Sequence, residues 1–425
     1  MTHEAQKQEE FGAYIGLDWA DQKHVISLRS ADSNQVEQCE LAQKPEALAT
    51  WVSGLQQRFP GQRVALALEQ SRGAVIYALM GYDFLVLYPV NPKSLAKYRE
   101  AFYPSGAKDD PTDGDLLREL VAMHRDRLRA WVPDDVLTRT ITLLNEYRRD
   151  LVGRQTALTN QLTGLLKLYY PQALGWIGGL ATVQACDFLQ RWPTLAKVQQ
   201  ATPLKLRKFY SAHGCRKAEL IEQRLQEIKV AQPLTRDAAV ITASVSMVQA
   251  TINQLRPVLE AIAQMEKQIA ELFGQHADHD VFSSFPGAGP ALAPRLLGAM
   301  GADRGRFEAA SEVQQLSGIA PVTVRSGKSC WVHRRWACPK FVRQSFHEFA
   351  GQSIRQSAWA RAFYDQQRQR GKGHHAAVRS LAFRWIRIIY RCWKMRVPYC
   401  EETYCRALER RQSPLARALA AQTQN

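Results

Sequence analysis

The sequence has no apolar run of about 18 residues, the length that a membrane-spanning helix requires. Its first residues, MTHEAQKQEE, are polar and lack the apolar segment of a secretory signal. The eight cysteines include no C-x-x-C pair, and the spacings of Cys330 and Cys338 with His333, or of Cys400 with Cys405, fit no common zinc pattern. We therefore expect a cytoplasmic protein with reduced, mostly buried thiols.

Acidic residues are scarce in the last third of the chain. Residues 281–425 contain 24 lysines and arginines but only 8 acids, an excess equal to the whole formal net charge of +16. Aromatic residues alternate with the basic ones there: Trp331, Trp336, Phe341, Phe346, Trp385, Tyr390 and Trp393. Such mixtures bind phosphates and stack on bases. The composition predicts a nucleic-acid-binding region, the alternative being a solvated basic face over an aromatic core.

The N-terminal region has the pattern of a mixed α/β sheet. Residues 13–90 follow the order strand, strand, strand, helix, strand, helix, strand, and a further helix begins near Pro111. This order predicts an RNase H-like (RuvC-like) sheet with helices on its faces. Because 425 residues exceed one ordinary core, we predict domains at 1–128, 129–280 and 281–405, followed by a tail at 406–425.

The predicted middle domain contains two long helical segments, residues 137–169 and 244–276. Such helices form either a coiled-coil-like arm that joins subunits or a plain antiparallel hairpin within one subunit. The mainly α C-terminal domain opens with FPGAGPALAPRLL, in which Gly287 and Gly289 suggest a helix-hairpin-helix turn whose backbone N–H groups meet a DNA phosphate. Alternatively, these glycines only separate two helices. Pro294 is expected to interrupt the second helix.

Four acids in the first quarter of the chain stand where a metal-dependent nucleic-acid enzyme would place them: Asp18, Glu69, Asp110 and Asp113. Asp18 lies in the first predicted strand, and Glu69 ends the strand RVALALE. Asp110 and Asp113, three residues apart at a helix start, share one face. Because a divalent ion on a phosphodiester needs hard oxygen ligands from several backbone elements, we predict that these acids bind a metal ion.

The acids also have structural interpretations. A strand-end aspartate pairs readily with a lysine or arginine, and two acids three apart at a helix start resemble a capping box. Acids on two upstream strands favour metal binding over capping. Asp109 and Asp115 are rivals for the downstream positions, and spacing alone leaves that choice open.

Ser326 is the candidate nucleophile of the basic region. It lies in the turn-forming segment VRSGKSC between Arg325 and Lys328, and Arg334 and Arg335 follow closely. A serine that attacks a phosphodiester needs nearby cations to stabilise the developing charge. The alternative is a phosphate-binding turn in which the hydroxyl only donates a hydrogen bond. In either case we predict that these four basic residues contact nucleic acid.

Together, these segments resemble the DEDD transposases of bridge-RNA-guided insertion sequences, relatives of the Piv DNA invertase. The strongest pieces are K-x-D-x-x-D at residues 108–113 and G-x-A-P with S-G-K at residues 318–328. The downstream segment GKGHHAAVRSLAFRWI adds to the resemblance, which extends from residue 13 to about residue 390.

The resemblance implies a RuvC-like domain that holds Mg²⁺, with Mn²⁺ as a substitute, on the four acids. It also implies a C-terminal transposase domain in which Ser326 forms a covalent phosphoserine with DNA. A structured bridge RNA would pair with donor and target DNA, and a homo-oligomer, dimer or tetramer, would complete composite sites across subunits. The middle helices would contact subunits and RNA.

We therefore expect an RNA-guided DNA recombinase that excises and inserts a mobile element. One alternative is a structure-selective RuvC-type nuclease that uses the same acids to activate water. Others are a site-specific DNA invertase of the same family and a non-catalytic nucleic-acid-binding protein.

Overall fold

The computed structural model describes residues 11–69, 72–102 and 110–423. The chain divides into unit 1, Met1–Pro133, and unit 2, Asp134–Asn425. The predicted boundary after residue 128 lies close to this division, whereas the predicted boundary after residue 280 lies inside unit 2. In the described residues, no helix has the length and apolar character needed to cross a membrane.

Unit 1 is a mixed sheet with helices on both faces. Its strands are β1 (Phe11–Asp18), β2 (Lys23–Ser30), β3 (Val36–Ala42), β4 (Arg63–Leu68) and β5 (Leu85–Pro89). Its helices are α1 (Pro45–Arg58), α2 (Ala74–Leu79), α3 (Pro92–Phe102) and α4 (Asp110–His124). The strand order is β3-β2-β1-β4-β5. The first three strands pair antiparallel, and β1, β4 and β5 are parallel.

Alternation along the strands separates the two faces of the sheet. Leu17 of β1 and Leu68 of β4 belong to a core that includes side chains of α1 and α2. Ala65 and Ala67 of β4 belong to the opposite core, which includes side chains of α3 and α4. The predicted mixed α/β sheet is therefore confirmed. Helix α3 was not predicted, although Pro92 at its first position is a common helix-start signal.

Helix α4 packs unusually close to β1. A Cβ atom added at Gly16 would lie 2.0 Å from the carbonyl oxygen of Gly114 and 2.5 Å from the amide nitrogen of Arg118. Further along the chain, Arg125 donates a hydrogen bond to Tyr14, nearer the start of β1. The beginning of α4 therefore lies towards the carboxyl end of β1.

Unit 2 is mainly helical, as predicted. Its first helices are α5 (Val136–Tyr169), α6 (Ala173–Trp176), α7 (Val183–Arg191), α8 (Leu195–Gln199), α9 (Pro203–Ala212), α10 (Ala218–Val230) and α11 (Ala238–Gly274). There follow α12 (His279–Ser283), α13 (Gly289–Met300), α14 (Ala310–Leu316), the strands β6 (Val322–Ser326) and β7 (Ser329–His333), α15 (Lys340–Ser353), α16 (Ala358–Gln369), α17 (His374–Met395), α18 (Glu401–Arg410) and α19 (Pro414–Thr423).

The long helices α5 and α11 pair antiparallel within the chain. Thr138 Oγ1, near the start of α5, lies 2.9 Å from Nε2 of His276, which follows the end of α11. Further along α5, Arg148 donates a hydrogen bond to Glu266, which lies earlier in α11. This is the geometry of the intramolecular helical hairpin, one of the two predicted alternatives. The shared core of the C-terminal helices includes Phe273 of α11, so the predicted division at residue 280 does not interrupt the packing.

Two expectations for the C-terminal region are wrong. Helix α13 continues through Pro294 to Met300, and most of its side chains are buried among the surrounding helices. Of the predicted tail at 406–425, residues 406–410 end α18 and residues 414–423 form α19, and Leu408 and Leu415 are buried in the same core. Burial of apolar side chains thus offsets both the lost backbone hydrogen bond at proline and the entropy of ordering the terminus.

Candidate active-site residues

Asp18 and Glu69 lie at the ends of two neighbouring parallel strands. Leu17 of β1 pairs with Leu68 of β4 on strands about 4.8 Å apart, and Asp18, the last residue of β1, and Glu69, the residue directly after β4, follow this pair. Because Leu17 points to the core of α1 and α2, alternation along β1 directs Asp18 to the face that carries α4. Both acids are half-buried. The structure thus brings these two predicted residues together.

Asp113 lies in the first turn of α4, directly before the close contact between Gly114 and Gly16. Its side chain is only 2 % exposed, and one carboxylate oxygen accepts hydrogen bonds from Nε, at 2.8 Å, and Nη2 of Arg99. Arg99 is carried by α3, the helix that the sequence did not predict. The sequence therefore missed a buried cation in direct contact with a predicted metal ligand.

The structure separates the rival acid Asp115 from this edge. One of its oxygens accepts from Ser27 Oγ at 2.5 Å, and the other accepts from Gln38 Nε2 at 2.8 Å. These partners belong to β2 and β3, so Asp115 faces the antiparallel side of the sheet rather than β4. Asp110 begins α4, but its side chain, like the whole of Asp109, lies outside the described residues.

We call the group of carboxylates formed by Asp18, Glu69 and Asp113 the acid edge. Their donor chemistry fits a hard divalent cation, which prefers carboxylate oxygens from different backbone elements. Among the described side chains, no three potential ligands converge within bonding range of one point. Asp113 is instead hydrogen-bonded to Arg99. The fourth acid of the predicted set is Asp110, whose side chain lies outside the described residues.

Ser326 lies at the tip of an exposed β-hairpin. It ends β6 and pairs with Ser329, the first residue of β7, across a turn made by Gly327 and Lys328. Gly327 has a φ of +54°, in the left-handed region that glycine adopts without strain. Every residue from Thr323 to His333 is exposed. Ser326 is therefore accessible to a substrate as large as DNA.

The hairpin separates the predicted cations. Arg325 and Lys328 are sequence neighbours of Ser326, but Arg334 and Arg335 follow His333, which pairs with Val322 at the opposite end of the ribbon. From Ser326 to Val322 the strand rises by four residues, or about 14 Å. Within this hairpin, Arg334 and Arg335 are therefore not adjacent to the Ser326 hydroxyl, and their contact with nucleic acid stays a prediction.

The base of the hairpin is strongly cationic. The Arg334 guanidinium lies over the Trp336 ring at 4.6 Å. His347 of α15 is near His375 of α17, and its pKa falls to about 4 because of burial and the nearby charges of His375, Arg379 and Arg334. His347 is therefore neutral near pH 7. This cluster favours an anionic partner.

The Gly-x-Gly segment is engaged within unit 2. Gly287 has a φ of +83°, and its N–H donates to Gln356 Oε1 at 2.8 Å. A Cβ atom at Gly287 would lie 2.9 Å from the backbone of Gln352, so glycine permits close packing against the end of α15. Gly289 is the first residue of α13. Phosphate binding by these glycines stays a prediction, and the Gly287 N–H already has a protein acceptor.

Comparison with known proteins identifies the family. Residues 15–171 match the DEDD transposase family of IS110, described as "Transposase", and residues 279–365 match the "Transposase IS116/IS110/IS902 family". The chain is a transposase of the IS110 family. The two matches together span more than half of the chain and include both the acid edge and the Ser326 hairpin. Membership implies an enzyme that acts on DNA in transposition and, through the DEDD family, the use of a divalent metal ion.

The transposase is also similar to curated proteins over most of its length. It is 28% identical over 402 residues to "Mini-circle putative transposase for IS117" from Streptomyces coelicolor, covering 93% of this chain and 97% of that protein. It is 22% identical over 393 residues to "Insertion element IS900 uncharacterized 42 kDa protein" from Mycobacterium paratuberculosis, covering 89% and 94%. These relatives confirm the predicted link to insertion sequences.

Proposed function

We propose that this transposase excises and inserts its element by RNA-guided, Mg²⁺-dependent strand exchange with a covalent serine–DNA intermediate. The observation that carries the proposal is the exposed position of Ser326 at the tip of a cationic hairpin, in a chain that also has an acid edge. A nuclease that only activates water has no need of an accessible serine on such a ribbon.

Ser326 would act as the nucleophile. Its Oγ forms a bond to the phosphorus of a phosphodiester while the bond to the departing deoxyribose oxygen breaks. The serine proton is lost and the departing oxygen gains one, so the products are a phosphoserine ester and a free hydroxyl. Because the ester conserves the phosphodiester energy, a second hydroxyl can reverse the step and join new strands. Arg325 and Lys328 would offset the developing charge.

The acid edge would hold the metal ion. Asp18 and Glu69 would supply ligands from the strand ends, and Asp113, with Asp110 as the sequence predicts, from the start of α4. When bound, the ion would neutralise charge on the DNA phosphate. Arg99 donates both of its hydrogen bonds to one oxygen of Asp113, so the other oxygen would supply the ligand, and the guanidinium charge would compete with the ion.

RNA guidance and assembly belong to the same proposal. The resemblance to bridge-RNA-guided elements supports a structured RNA partner, and the cationic excess of residues 281–425 supplies charge for RNA as well as for donor and target DNA. Base pairing would then choose the target, while the protein binds backbone. We propose a homo-oligomer, dimer or tetramer, as the active form.

The deciding experiment is a covalent-adduct assay. The full-length protein is incubated with Mg²⁺, end-labelled DNA that spans the element boundary, and RNA transcribed from the DNA flanking the gene, and is then resolved by denaturing electrophoresis. Wild type should give a protein-linked DNA band, and Ser326→Ala should give none. Ser329→Ala, the cross-strand partner, is the matched control and should keep the band. Normal cleavage by Ser326→Ala without any adduct would instead establish the water-activating nuclease.

A second experiment tests the role of the metal ion with two aspartate-to-asparagine variants. Asp18→Asn should lower cleavage at least about 100-fold and abolish its dependence on Mg²⁺ concentration, because a carboxylate that binds the ion is lost. Asp21→Asn removes the same charge from an exposed position in the β1–β2 connection and should leave cleavage unchanged. Equal cleavage by Asp18→Asn and wild type would exclude Asp18 from the chemistry, whereas DNA binding without cleavage by either protein would leave the non-catalytic binding protein.

A further inference from the structure

The two faces of the Ser326 hairpin differ in composition. The register pairs Ser326 with Ser329, Val324 with Trp331 and Val322 with His333 without a bulge. Because side chains alternate along each strand, these pairs share one face, and Arg325 with Cys330 lies on the other. Trp331 is therefore a diagonal neighbour of Ser326 on the same face. Diagonal neighbours are roughly 7–8 Å apart, within reach of an aromatic side chain.

Trp331 is exposed in a way that core tryptophans are not. Its side chain is 63 % exposed, whereas Trp359, Trp385 and Trp393 of the same unit are fully buried. Trp336 is also exposed, but one face of its ring already has the Arg334 guanidinium 4.6 Å from the ring centroid. Trp331 thus offers a large ring surface to solvent beside the proposed nucleophile.

The charge of the surrounding segment indicates which class of ligand binds to the Trp331 ring. No aspartate or glutamate occurs between Glu312 and Glu348, whereas the intervening segment contains six lysines and arginines. A cationic ribbon that presents an aromatic ring is typical of surfaces that bind single-stranded nucleic acid, where the cations contact phosphates and the ring stacks on a base. An apolar protein partner would not require an acid-free segment.

We propose that Trp331 is a stacking platform for an unpaired DNA base next to the phosphodiester presented to Ser326. The ligand class is a single-stranded or locally unstacked nucleotide, since a base within an intact duplex keeps both its faces stacked on its neighbours. The spacing between Trp331 and Ser326 is comparable to the span of one nucleotide. The position of the stacked base beside the cleaved phosphodiester rests on the proposed role of Ser326, whereas the stacking of a base on Trp331 does not depend on that role.

The test measures binding of the full-length protein to fluorescent oligonucleotides by anisotropy at several salt concentrations. The probes are single-stranded DNA, the matching duplex and single-stranded RNA of the same sequence. Trp331→Ala should weaken binding of single-stranded DNA about tenfold, with little effect on the duplex. The slope of log K against log salt should not change, because stacking releases no counterions. Trp331→Phe should restore most of the affinity.

Two matched variants complete the design. Val332→Thr alters an equally exposed residue on the opposite face and should bind like wild type. Lys328→Ala should reduce the salt slope by about one on all probes, as expected for a phosphate contact. This contrast separates stacking from charge.

Several outcomes would overturn the proposal. They are an equal loss on duplex and single strand, a loss confined to RNA, no rescue by phenylalanine, or a change in oligomeric state of Trp331→Ala in sedimentation, which would make this face a subunit contact. The binding assay does not depend on catalysis. If Ser326→Ala still forms an adduct while Trp331→Ala loses single-strand binding, the proposed nucleophile is wrong and the stacking platform stands.

Discussion

The acid edge of unit 1 and the Ser326 hairpin of unit 2 are built in opposite ways. At the acid edge, strands and helix meet so closely that glycine is required at the contact, and Asp113 is buried against Arg99. The hairpin is a two-stranded ribbon with almost every side chain in solvent. An isolated ribbon is marginally stable, so its working geometry depends on what binds it. The acids are therefore positioned by packing, whereas we propose that the bound substrate positions the serine.

The largest expected effect is at the buried ion pair. Arg99→Met leaves Asp113 buried without its cation and should lower the free energy of unfolding of unit 1 by about 3–5 kcal/mol. Chemical denaturation of the full-length protein, followed by circular dichroism, measures the change. The control is Lys23→Met, which breaks the solvent-exposed pair with Glu40 and should leave the free energy of unfolding nearly unchanged.

The same variant tests the metal ion. If Asp113 is a ligand, Mg²⁺ should raise the stability of Arg99→Met more than that of wild type, because no guanidinium competes for the carboxylate. Equal stabilisation of both proteins by Mg²⁺ would contradict a ligand role for Asp113.

The next effect concerns the contact between strand and helix. Gly16→Ala places a Cβ atom against backbone atoms of α4 and should lower the free energy of unfolding of unit 1 by about 1–3 kcal/mol. Gly54→Ala in α1, where nothing lies within 4 Å of the added atom, should instead stabilise by about 0.5–1 kcal/mol. Hydrogen exchange at β1 and α4 amides locates the change. Similar effects of the two substitutions would mean that α4 does not press on β1.

The smallest effect is expected in the hairpin. Val332→Thr should change the free energy of unfolding by less than about 0.5 kcal/mol, because the side chain is already exposed. Thermal and chemical unfolding of the full-length protein measure this. A loss above about 1 kcal/mol would show that the ribbon is packed in the assembled protein, and the contrast with the acid edge would disappear.

Much of unit 1 was predictable because its signals are local. Short apolar runs mark β1 and β4, and an acid at the end of each run stands out against that pattern. The parallel pairing that brings Asp18 beside Glu69 follows from the strand and helix order. The role of Arg99 was not predictable, because an ion pair between two helices depends on how both pack on the sheet.

The basic region was less predictable than its composition suggested. The sequence placed Arg334 and Arg335 near Ser326 because they are close in the chain, but hairpin pairing puts them at the far end of the ribbon. Likewise, the Gly287 N–H was predicted to face DNA, and the packing of α13 against α15 supplies Gln356 as its acceptor. Distance along the chain misleads where a strand pair or a helix contact intervenes.

By itself, the sequence determined the order of the elements, the four acids, the serine between cations and the concentration of positive charge. These features depend on residue type and on short-range periodicity, which are the same whatever tertiary structure the chain adopts. The tertiary structure alone decided that Arg99 holds Asp113, that Asp115 turns towards β2 and β3, and that Trp331 shares a face with Ser326. The first two relations depend on contacts between residues distant in sequence, which no local pattern encodes, and the third depends on the register in which the two strands of the hairpin pair.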